Sequence, residues 1–477
     1  MKKRKGIRII VTAAIVAAAF YLSACGNKAD KGLDPESPTV ITLWHAYNAV
    51  AKAQFDELVM EFNETVGMEQ GIVVDAVGYG SSEELEEVLY ASANQVIGSE
   101  PLPDIFSSYP DNAYRLDQMA PLVSLNDYFT EEEFERFRPE FLEEGMWDGS
   151  GVYKMVPVSK STELLYLNRT DWDRFARETG ATTDLLRTWE GLAQAAGMYY
   201  EWSGGSPFLG MNAYNDFAVL TAAQLGEQVY DNEDGRVTFS YSREAAGKAW
   251  DAFYVPHIRG WYESSVYNQD GIKSGKLMAY IGSSAGAGFF PREVIENEHK
   301  SHPILCESYV YPTFQGGISY MTQRGANMSV FASDQMHEYA SVQFLKWFTS
   351  PEQNTRFAVS TGYLPVTNQA LASVNDLIGQ AGDQENMEVV KGSMGTALKA
   401  MGEQNFYIKR PFEGSYDMMQ IFTSSMEDKV SSDLKEIKRR TENGENRSKV
   451  EAELLGEENF DRWYEGLITE MAGRTDG

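Results

Sequence analysis

The sequence predicts an α/β protein of two or three domains with largely parallel sheets. Strand-like and helix-like segments alternate from Thr39 to Phe106, and the alternation starts again after Trp172. The chain has 477 residues, of which 43% are hydrophobic and 12% aromatic, enough for sizeable packed cores. These observations exclude a wholly disordered chain.

The first 25 residues have the pattern of an export signal. Basic residues at positions 2–5 and 8 precede an apolar segment, 9–22, that is short for a membrane span. The segment ends in Leu-Ser-Ala-Cys, which resembles a bacterial lipoprotein lipobox and implies lipidation of Cys25. Residues 26–38 indicate a flexible tether. We therefore expect a protein held at the outer face of a membrane; the alternative is an uncleaved N-terminal anchor.

Charge and composition exclude several classes of function. The formal net charge is -29, which argues against nucleic-acid binding. Two cysteines, Cys25 and Cys306, cannot form a disulfide framework. His299 and His302 could share a helix face, but no third residue has zinc-ligand spacing. The acidic turn 231–235 lacks the EF-hand pattern, so we predict neither a metal nor a cofactor.

The first third of the chain predicts a ligand-binding edge. Strands are expected at 39–43, 72–77 and 103–106, with helices at about 50–66 and at 83–97. Phe55, Leu58, Val59, Phe62 and Val66 would lie on one face of the first helix. The carboxyl ends of the strands, at 44–47, 79–82 and 107–111, are rich in aromatic and small polar residues. Ligands of α/β sheets bind at such ends.

The stretch 151–172 predicts a crossing between two structural units. A strand-like run at 152–158 and an apolar strand at 164–167 flank a polar patch, Ser159 to Thr162. Pro157 cannot donate a ladder hydrogen bond, so this backbone is expected at an edge or a crossing point. We interpret the patch as a chain passing between two lobes beside a ligand.

The rest of the chain repeats the α/β pattern. Helices are expected at 189–200, 216–225 and 243–254, and strands at 237–239 and 277–281. Charged amphipathic helices are expected at 424–440 and 449–471.

Residues 282–286 match the G-x-S-x-G pattern of hydrolase nucleophiles. An exported serine hydrolase using Ser284 is therefore one hypothesis. The histidines that follow are His299, His302 and His337, and none has the usual wide separation from a strand-end carboxylate. The other interpretation is a tight loop whose hydroxyls and N–H groups face a ligand. A glycosidase is also left open, because its two acids leave no local signature.

The order of motifs resembles extracellular solute-binding proteins of bacterial ABC importers, in the family 1 group of maltose-binding and glycerol-3-phosphate-binding proteins. The matching segments are ITLWHAY (41–47), LPDIF (102–106), VPVSKSTELLYLNRTDW (156–172), TWEGL (188–192), SGKLMAYIGSSAG (274–286), FQGGISYM (314–321) and QFLKWFTSPEQNTRFAVSTGYLPVT (343–367). The resemblance implies a type II two-lobed fold with the ligand cleft at the hinge. It also implies a monomer without enzyme activity that delivers its solute to an ABC permease and ATPase.

The same resemblance implies lobes that are discontinuous in sequence. The first would contain residues 39–160 and 310–348, and the second residues 161–309 and 349–477. Crossings would lie near 159–161, 309–312 and 348–350.

Matching positions in the family nominate ligand-binding residues. Aromatic rings cover the apolar faces of sugars, while carboxylates, amides and hydroxyls bind their hydroxyl edges. The candidates are Trp44, His45, Tyr47, Ser82, Tyr109, Asp111, Ser161, Tyr214, Trp261, Ser283, Ser284, Gly316, Gly317, Tyr363 and Arg410.

One departure from the family pattern bears on the ligand. The glycerol-3-phosphate branch places an arginine before the late helix, where this chain has Gly414, and Arg410 lies four residues earlier. Arginine is the natural bidentate partner of phosphate. We therefore expect an uncharged sugar or oligosaccharide, with glycerol-3-phosphate or a glycerophosphodiester as the alternative. A surface adhesin or sensor using the same cleft is a third hypothesis.

Overall fold

The computed structural model describes residues 32–147, 149–212, 214–233, 236–264, 268–297, 299–380 and 387–475. The export signal, Cys25, tether residues 26–31 and residues 234–235 of the acidic turn lie outside these ranges. Within them, none of the helices combines the length and hydrophobicity that a membrane crossing requires.

The strands alternate with helices along most of the chain. The strands are β1 (Thr39–His45), β2 (Ile72–Gly78), β3 (Ile105–Ser108), β4 (Val156–Ser161), β5 (Glu163–Asn168), β6 (Leu209–Gly210), β7 (Tyr230–Glu233), β8 (Arg236–Phe239), β9 (Tyr262–Glu263), β10 (Ala279–Ser283), β11 (Glu293–Asn297), β12 (Lys300–Pro303), β13 (Cys306–Val310), β14 (Tyr320–Met321), β15 (Arg324–Val330) and β16 (Asn405–Phe406).

The α-helices range from one turn to nearly eight. They are α1 (Ala49–Glu64), α2 (Val66–Gln70), α3 (Ser82–Ala93), α4 (Pro110–Asp117), α5 (Glu131–Phe134), α6 (Pro139–Leu142), α7 (Arg169–Thr179), α8 (Trp189–Ser203), α9 (Tyr214–Gln224), α10 (Arg243–Ala249), α11 (Val255–Ile258), α12 (Asn268–Lys273), α13 (Gln335–Phe348), α14 (Pro351–Thr361), α15 (Asn368–Gln380), α16 (Met387–Glu403), α17 (Ser415–Glu442), α18 (Arg447–Leu454) and α19 (Glu457–Thr475).

Most of the predicted elements are present, but several boundaries were wrong. The first helix ends at Glu64, so Val66 begins α2 instead of extending the buried face of Phe55 and Phe62. The helix expected to reach residue 97 ends at Ala93. The last predicted helix is two helices, α18 and α19, which are separated at Leu455 and Gly456.

Two five-stranded sheets organise the fold. The first has the order β2-β1-β3-β15-β4, and the second has the order β13-β5-β10-β6-β9. Each sheet is mixed, which corrects the expectation of largely parallel sheets. β1, β2 and β3 are parallel, as are β6, β9 and β10, while β15 pairs antiparallel with β3 and β4, and β5 with β10 and β13. The antiparallel strands adjoin segments that pass between the sheets, so their direction is not set by a strand–helix–strand crossover.

The chain passes from one sheet to the other twice within the described strands. Only Thr162 separates β4 of the first sheet from β5 of the second, and the segment 311–323 leads from β13 back to β15. We call the first sheet with the helices packed on it the first lobe, and the second sheet with its helices the second lobe. Residues 348–350 join α13 to α14, and both helices contact α1 of the first lobe. The exact lobe boundaries stay a prediction.

A buried ion pair fixes the crossing strand. The Lys160 and Glu144 side chains are 1% and 4% exposed, and their charged groups are in direct contact. The Asn327 amide of β15 donates to the same carboxylate at 3.2 Å. Gly325 lies alongside with φ +87°, and a Cβ there would be 2.3 Å from the Ser159 carbonyl oxygen. Lys160 is thus committed to the protein interior and is not a ligand-binding cation.

Replacement of Lys160 by methionine should lower the free energy of unfolding by about 3–5 kcal/mol, because the Glu144 carboxylate would be left buried without its counter-charge. Urea unfolding would measure the loss. The matched control is Lys52→Met, whose partner Asp56 is also a carboxylate but whose pair is 43% and 45% exposed. That substitution should lower the free energy of unfolding by about 0–1 kcal/mol. Equal losses in both variants would contradict the assignment.

Candidate functional site

The carboxyl ends of β1, β2 and β3 form a small cavity in the first lobe. Its volume is about 70 Å³. Side chains from the segments that follow these strands line it, with Glu86 of α3 and Tyr363 beside them; they include Tyr47, Ser82 and Tyr109. The edge of the sheet at which the sequence predicted a ligand is therefore concave and contains hydroxyl groups.

A second cavity of about 230 Å³ lies at the carboxyl ends of β6, β9 and β10 in the second lobe. Amides and carboxylates dominate its wall, which contains Asn212, Asp216, Asn268, Gln269, Glu163, Tyr311 and Arg324. This wall offers many hydrogen-bond acceptors and few apolar surfaces. The two lobes thus present chemically different walls.

The largest of the three cavities described here, of about 700 Å³, is lined by both lobes. The first lobe contributes Asp111 and Glu143, and aromatic side chains cover much of the remainder: Tyr230, Tyr320, Phe406, Tyr407 and Phe412. A volume of this size is within the range of sites for small organic ligands.

Arg324 of the second cavity forms ion pairs with two carboxylates. Its Nε lies 3.0 Å from Glu163 Oε1 and its Nη1 lies 3.1 Å from Asp216 Oδ2. These carboxylates, Asp216 above all, raise the pKa of Arg324. Burial in turn raises the pKa of Glu163, although Arg324 opposes the shift. The guanidinium therefore stays charged, and two acids share it.

The other two cations of the cavities are also paired. Lys409 Nζ lies 3.7 Å from Asp111 Oδ2, and Arg410 contacts the Glu143 carboxylate directly. Burial lowers the pKa of Lys409, but Asp111 and Asp216 outweigh it, so the net shift is upward. Around Arg324 and Lys409 there are three carboxylates for two cations, which leaves a net negative charge.

Tyrosines surround these charges. Burial raises the pKa of Tyr109 and also that of Tyr407, the latter to about 12. Burial likewise raises the pKa of Tyr311 and Tyr363. All four phenols are therefore protonated at neutral pH, and each can donate a hydrogen bond as well as present a ring face.

Six of the predicted ligand-binding residues line the cavities. They are Tyr47, Ser82, Tyr109, Asp111, Tyr363 and Arg410. Tyr47 is only 4% exposed, and its hydroxyl is 2.9 Å from Ser159 Oγ, so it also braces β4. Their binding role stays a prediction.

The other three predicted serines, Ser161, Ser283 and Ser284, lie where β10 meets the crossing strand. Ser283 Oγ donates to Ser161 Oγ at 3.0 Å. The hydroxyl of Ser284 accepts from the Thr162 N–H at 3.2 Å, and the Ser284 N–H donates back to the Thr162 carbonyl at 2.8 Å. Ser284 is 1% exposed. Its described hydrogen bonds involve Thr162 and Ser393, not a histidine, so the arrangement does not resemble an activated nucleophile.

The remaining predicted residues are packed away from the cavities. Trp44 packs edge-on against Tyr79, and Tyr214 is fully buried in the second-lobe core. His45 is also fully buried, and burial lowers its pKa to about 4, so it is neutral at pH 7.

The last three predicted positions precede β9 (Trp261) or lie in the crossing segment 311–323 (Gly316 and Gly317). Trp261 packs against Gly197, where an added Cβ would be 3.1 Å from the ring. Gly316 and Gly317 form a turn, and a Cβ on Gly317 would be 2.9 Å from the Gln224 carbonyl oxygen. Glycine is explained at both positions by this turn, because Gly316 has φ +77° and Gly317 has no room for a Cβ.

Sequence reasoning missed the central residues Glu163, Asp216, Tyr311, Arg324 and Tyr407. They belong to five separate segments, and all but Glu163, which lies within the segment 156–172, are outside the motifs named above. The one available signal was position, since Glu163 and Tyr311 adjoin the predicted crossings.

The chain matches the family described as bacterial extracellular solute-binding protein over residues 57–378. The chain belongs to this family. The resemblance that its motifs indicated is therefore confirmed. A search of curated proteins found no match.

Solved structures show the same fold as this solute-binding protein. The cyclic alpha-maltosyl-1,6-maltose binding protein from Arthrobacter globiformis is 15% identical, with a TM-score of 0.65 over 91% of this chain and 100% of that one. UgpB from Mycobacterium tuberculosis, in complex with glycerophosphocholine, is 15% identical, with a TM-score of 0.64 over 91% of this chain and 100% of that one. A Listeria monocytogenes ABC substrate-binding protein in complex with cycloalternan is 13% identical, with a TM-score of 0.61 over 89% of this chain and 99% of that one.

Glu86 should make the stability of this solute-binding protein depend on pH near neutrality. Burial, reinforced by Asp111, raises its pKa to about 7. A raised carboxyl pKa means that the folded state binds the proton more tightly, so its stabilising contribution is present below about pH 4.5 and is lost as the pH rises through 7. Glu86→Gln should therefore gain about 1–2 kcal/mol relative to wild type between pH 5 and pH 8.

Urea unfolding at several pH values would measure this trend. The control is Glu83→Gln, an exposed glutamate one turn earlier in α3, which should show no comparable gain. A pH-independent difference between wild type and Glu86→Gln would contradict the prediction.

Proposed function

We propose that this solute-binding protein captures an uncharged carbohydrate between its lobes and delivers it to an ABC permease. The observation that carries the proposal is the pairing of every cavity cation described above with a carboxylate. Arg324 contacts Glu163 and Asp216, Lys409 lies near Asp111, and Arg410 contacts Glu143.

An anionic ligand would compete with these carboxylates. A phosphate binding at Arg324 would approach two negative side chains or displace them, and both steps cost electrostatic free energy. Sugar hydroxyls, in contrast, can donate to the carboxylate and amide oxygens of the second-lobe wall while the rings of Tyr109 and Tyr407 cover a sugar face. The site chemistry thus favours a neutral polyhydroxy ligand.

The structural relatives support this class without identifying the ligand. Two of the three are described with oligosaccharide ligands, and the third with glycerophosphocholine. Glycerophosphocholine carries a phosphodiester, so the same fold also accommodates the alternative ligand class. We infer further that Cys25 is lipidated and holds the protein at the outer face of the membrane.

Substitution of Asp216 by asparagine should weaken binding of a neutral sugar about tenfold, because a charge-assisted acceptor becomes a neutral one. Thermal shift with maltotriose, mannotriose, cycloalternan and glycerophosphocholine would find the ligand class, and calorimetry on the best ligand would measure the loss. The control is Asp184→Asn, an exposed carboxylate (80%) outside the cavities.

Tight binding of glycerophosphocholine with no sugar response would overturn the carbohydrate proposal and restore the alternative. Hydrolysis of an ester substrate that is abolished in Ser284→Ala would overturn the transport function itself.

A further inference from the structure

An irregular segment lines the cavity of about 700 Å³ and contacts both lobes. We call residues 404–414 the strap. One end is fixed at the crossing segment, where β16 pairs with β14, the Asn405 N–H donates to the Ser319 carbonyl at 2.9 Å and the Tyr407 N–H to the Met321 carbonyl at 3.0 Å. The other end leads into α17, whose buried face belongs to the second-lobe core. Between these anchors, residues 407–412 form neither helix nor strand.

The basic side chains of the strap reach acids of the other lobe. Arg410 contacts Glu143, which lies immediately before Glu144 of the buried ion pair, and Lys409 lies 3.7 Å from Asp111 of α4. The first lobe therefore supplies both counter-charges. Their separation would increase if the lobes moved apart.

The first turn of α17 makes a third contact with the first lobe. The Arg115 guanidinium lies 4.2 Å from the Tyr90 ring centroid and 5.1 Å from that of Tyr416, so it bridges rings from the two lobes. The Tyr416 hydroxyl donates to Glu86 Oε2 at 3.4 Å. Arg115 and the Asp111 partner of Lys409 both belong to α4, so the strap and the start of α17 contact the same first-lobe helix.

We propose that the strap is an inter-lobe latch, in which Lys409 and Arg410 set ligand affinity by pairing with Asp111 and Glu143 instead of binding the ligand. This proposal rests on the proposed function only in placing the ligand between the lobes. A ligand that favours the closed arrangement binds more tightly when that arrangement is already populated.

The ion pairs of the latch are weak enough for the lobes to separate and release a ligand. Arg410 and Glu143 side chains are 57% and 32% exposed, so water and salt screen their attraction. Loss of one such pair should change the closed population about two- to fivefold. In this proposal Arg410 holds the lobes together instead of making the ligand contact for which the family resemblance nominated it.

Charge reversal distinguishes the latch from a ligand contact. Arg410→Glu and Glu143→Arg should each lower the closed population about two- to fivefold, and the double variant should restore it, because the attraction returns with its signs exchanged. Arg439→Glu is the matched control, since Arg439 is 62% exposed and pairs with Glu436 within α17 instead of across the lobes.

Inter-lobe distances measured without ligand provide the readout. Nitroxide labels on cysteines introduced at the exposed positions Glu57 of α1 and Glu201 of α8, with Cys25 and Cys306 replaced by serine, would report the distance distribution by double electron–electron resonance. The single reversals should shift the distribution towards long distances, and the double variant and Arg439→Glu should match wild type.

Unchanged distances in the single reversals, or a double variant that stays open, would overturn the latch. A wild-type chain that shows only the long distance without ligand would also overturn it. This measurement uses no ligand, so its outcome does not depend on whether the sugar screen finds a ligand. Failure of the latch and failure of the carbohydrate proposal can therefore be told apart.

Discussion

The buried contact between Lys160 and Glu144 is the interaction on which the arrangement of the two lobes depends. Lys160 lies on the strand that leaves the first sheet two residues later, so its anchoring fixes the point from which the second sheet begins. Asn327 on the adjacent return strand donates to the same carboxylate. One buried charge pair therefore holds both the outgoing and the returning chain where they pass between the sheets.

The crossing strands also position the charges that the proposed ligand would meet. Glu163 follows the crossing by one residue, and Arg324 begins the return strand, so their ion pair joins the two crossings on the cavity side. Asp216 approaches from the start of a helix and completes the group. The crossing strands therefore carry some of the acceptors of the proposed site, and movement of these strands would change the positions of those acceptors.

The sequence predicted chemistry best where one short segment carries it. Tyr47, Ser82 and Tyr109 follow predicted strands and do line a cavity, because the ends of parallel strands converge at one edge. Trp44 and His45 occupy the same strand end but line none of the described cavities. Consecutive strand residues point to opposite faces of the sheet, and both faces are covered here, Trp44 packing against Tyr79 and His45 against Phe55. Ser284 matches a catalytic pattern, yet its hydroxyl is committed to the Thr162 backbone.

The sequence by itself determined the α/β class, the family and the location of the first crossing, because periodicity, turn residues and contiguous motifs are local properties of the chain. Only the tertiary structure decided the mixed strand directions, the grouping of Glu163, Asp216 and Arg324, and the pairing of Arg410 with Glu143. Arg410 and Glu143 are 267 residues apart. A pairing over that separation is set by how the two lobes pack, which no local pattern encodes.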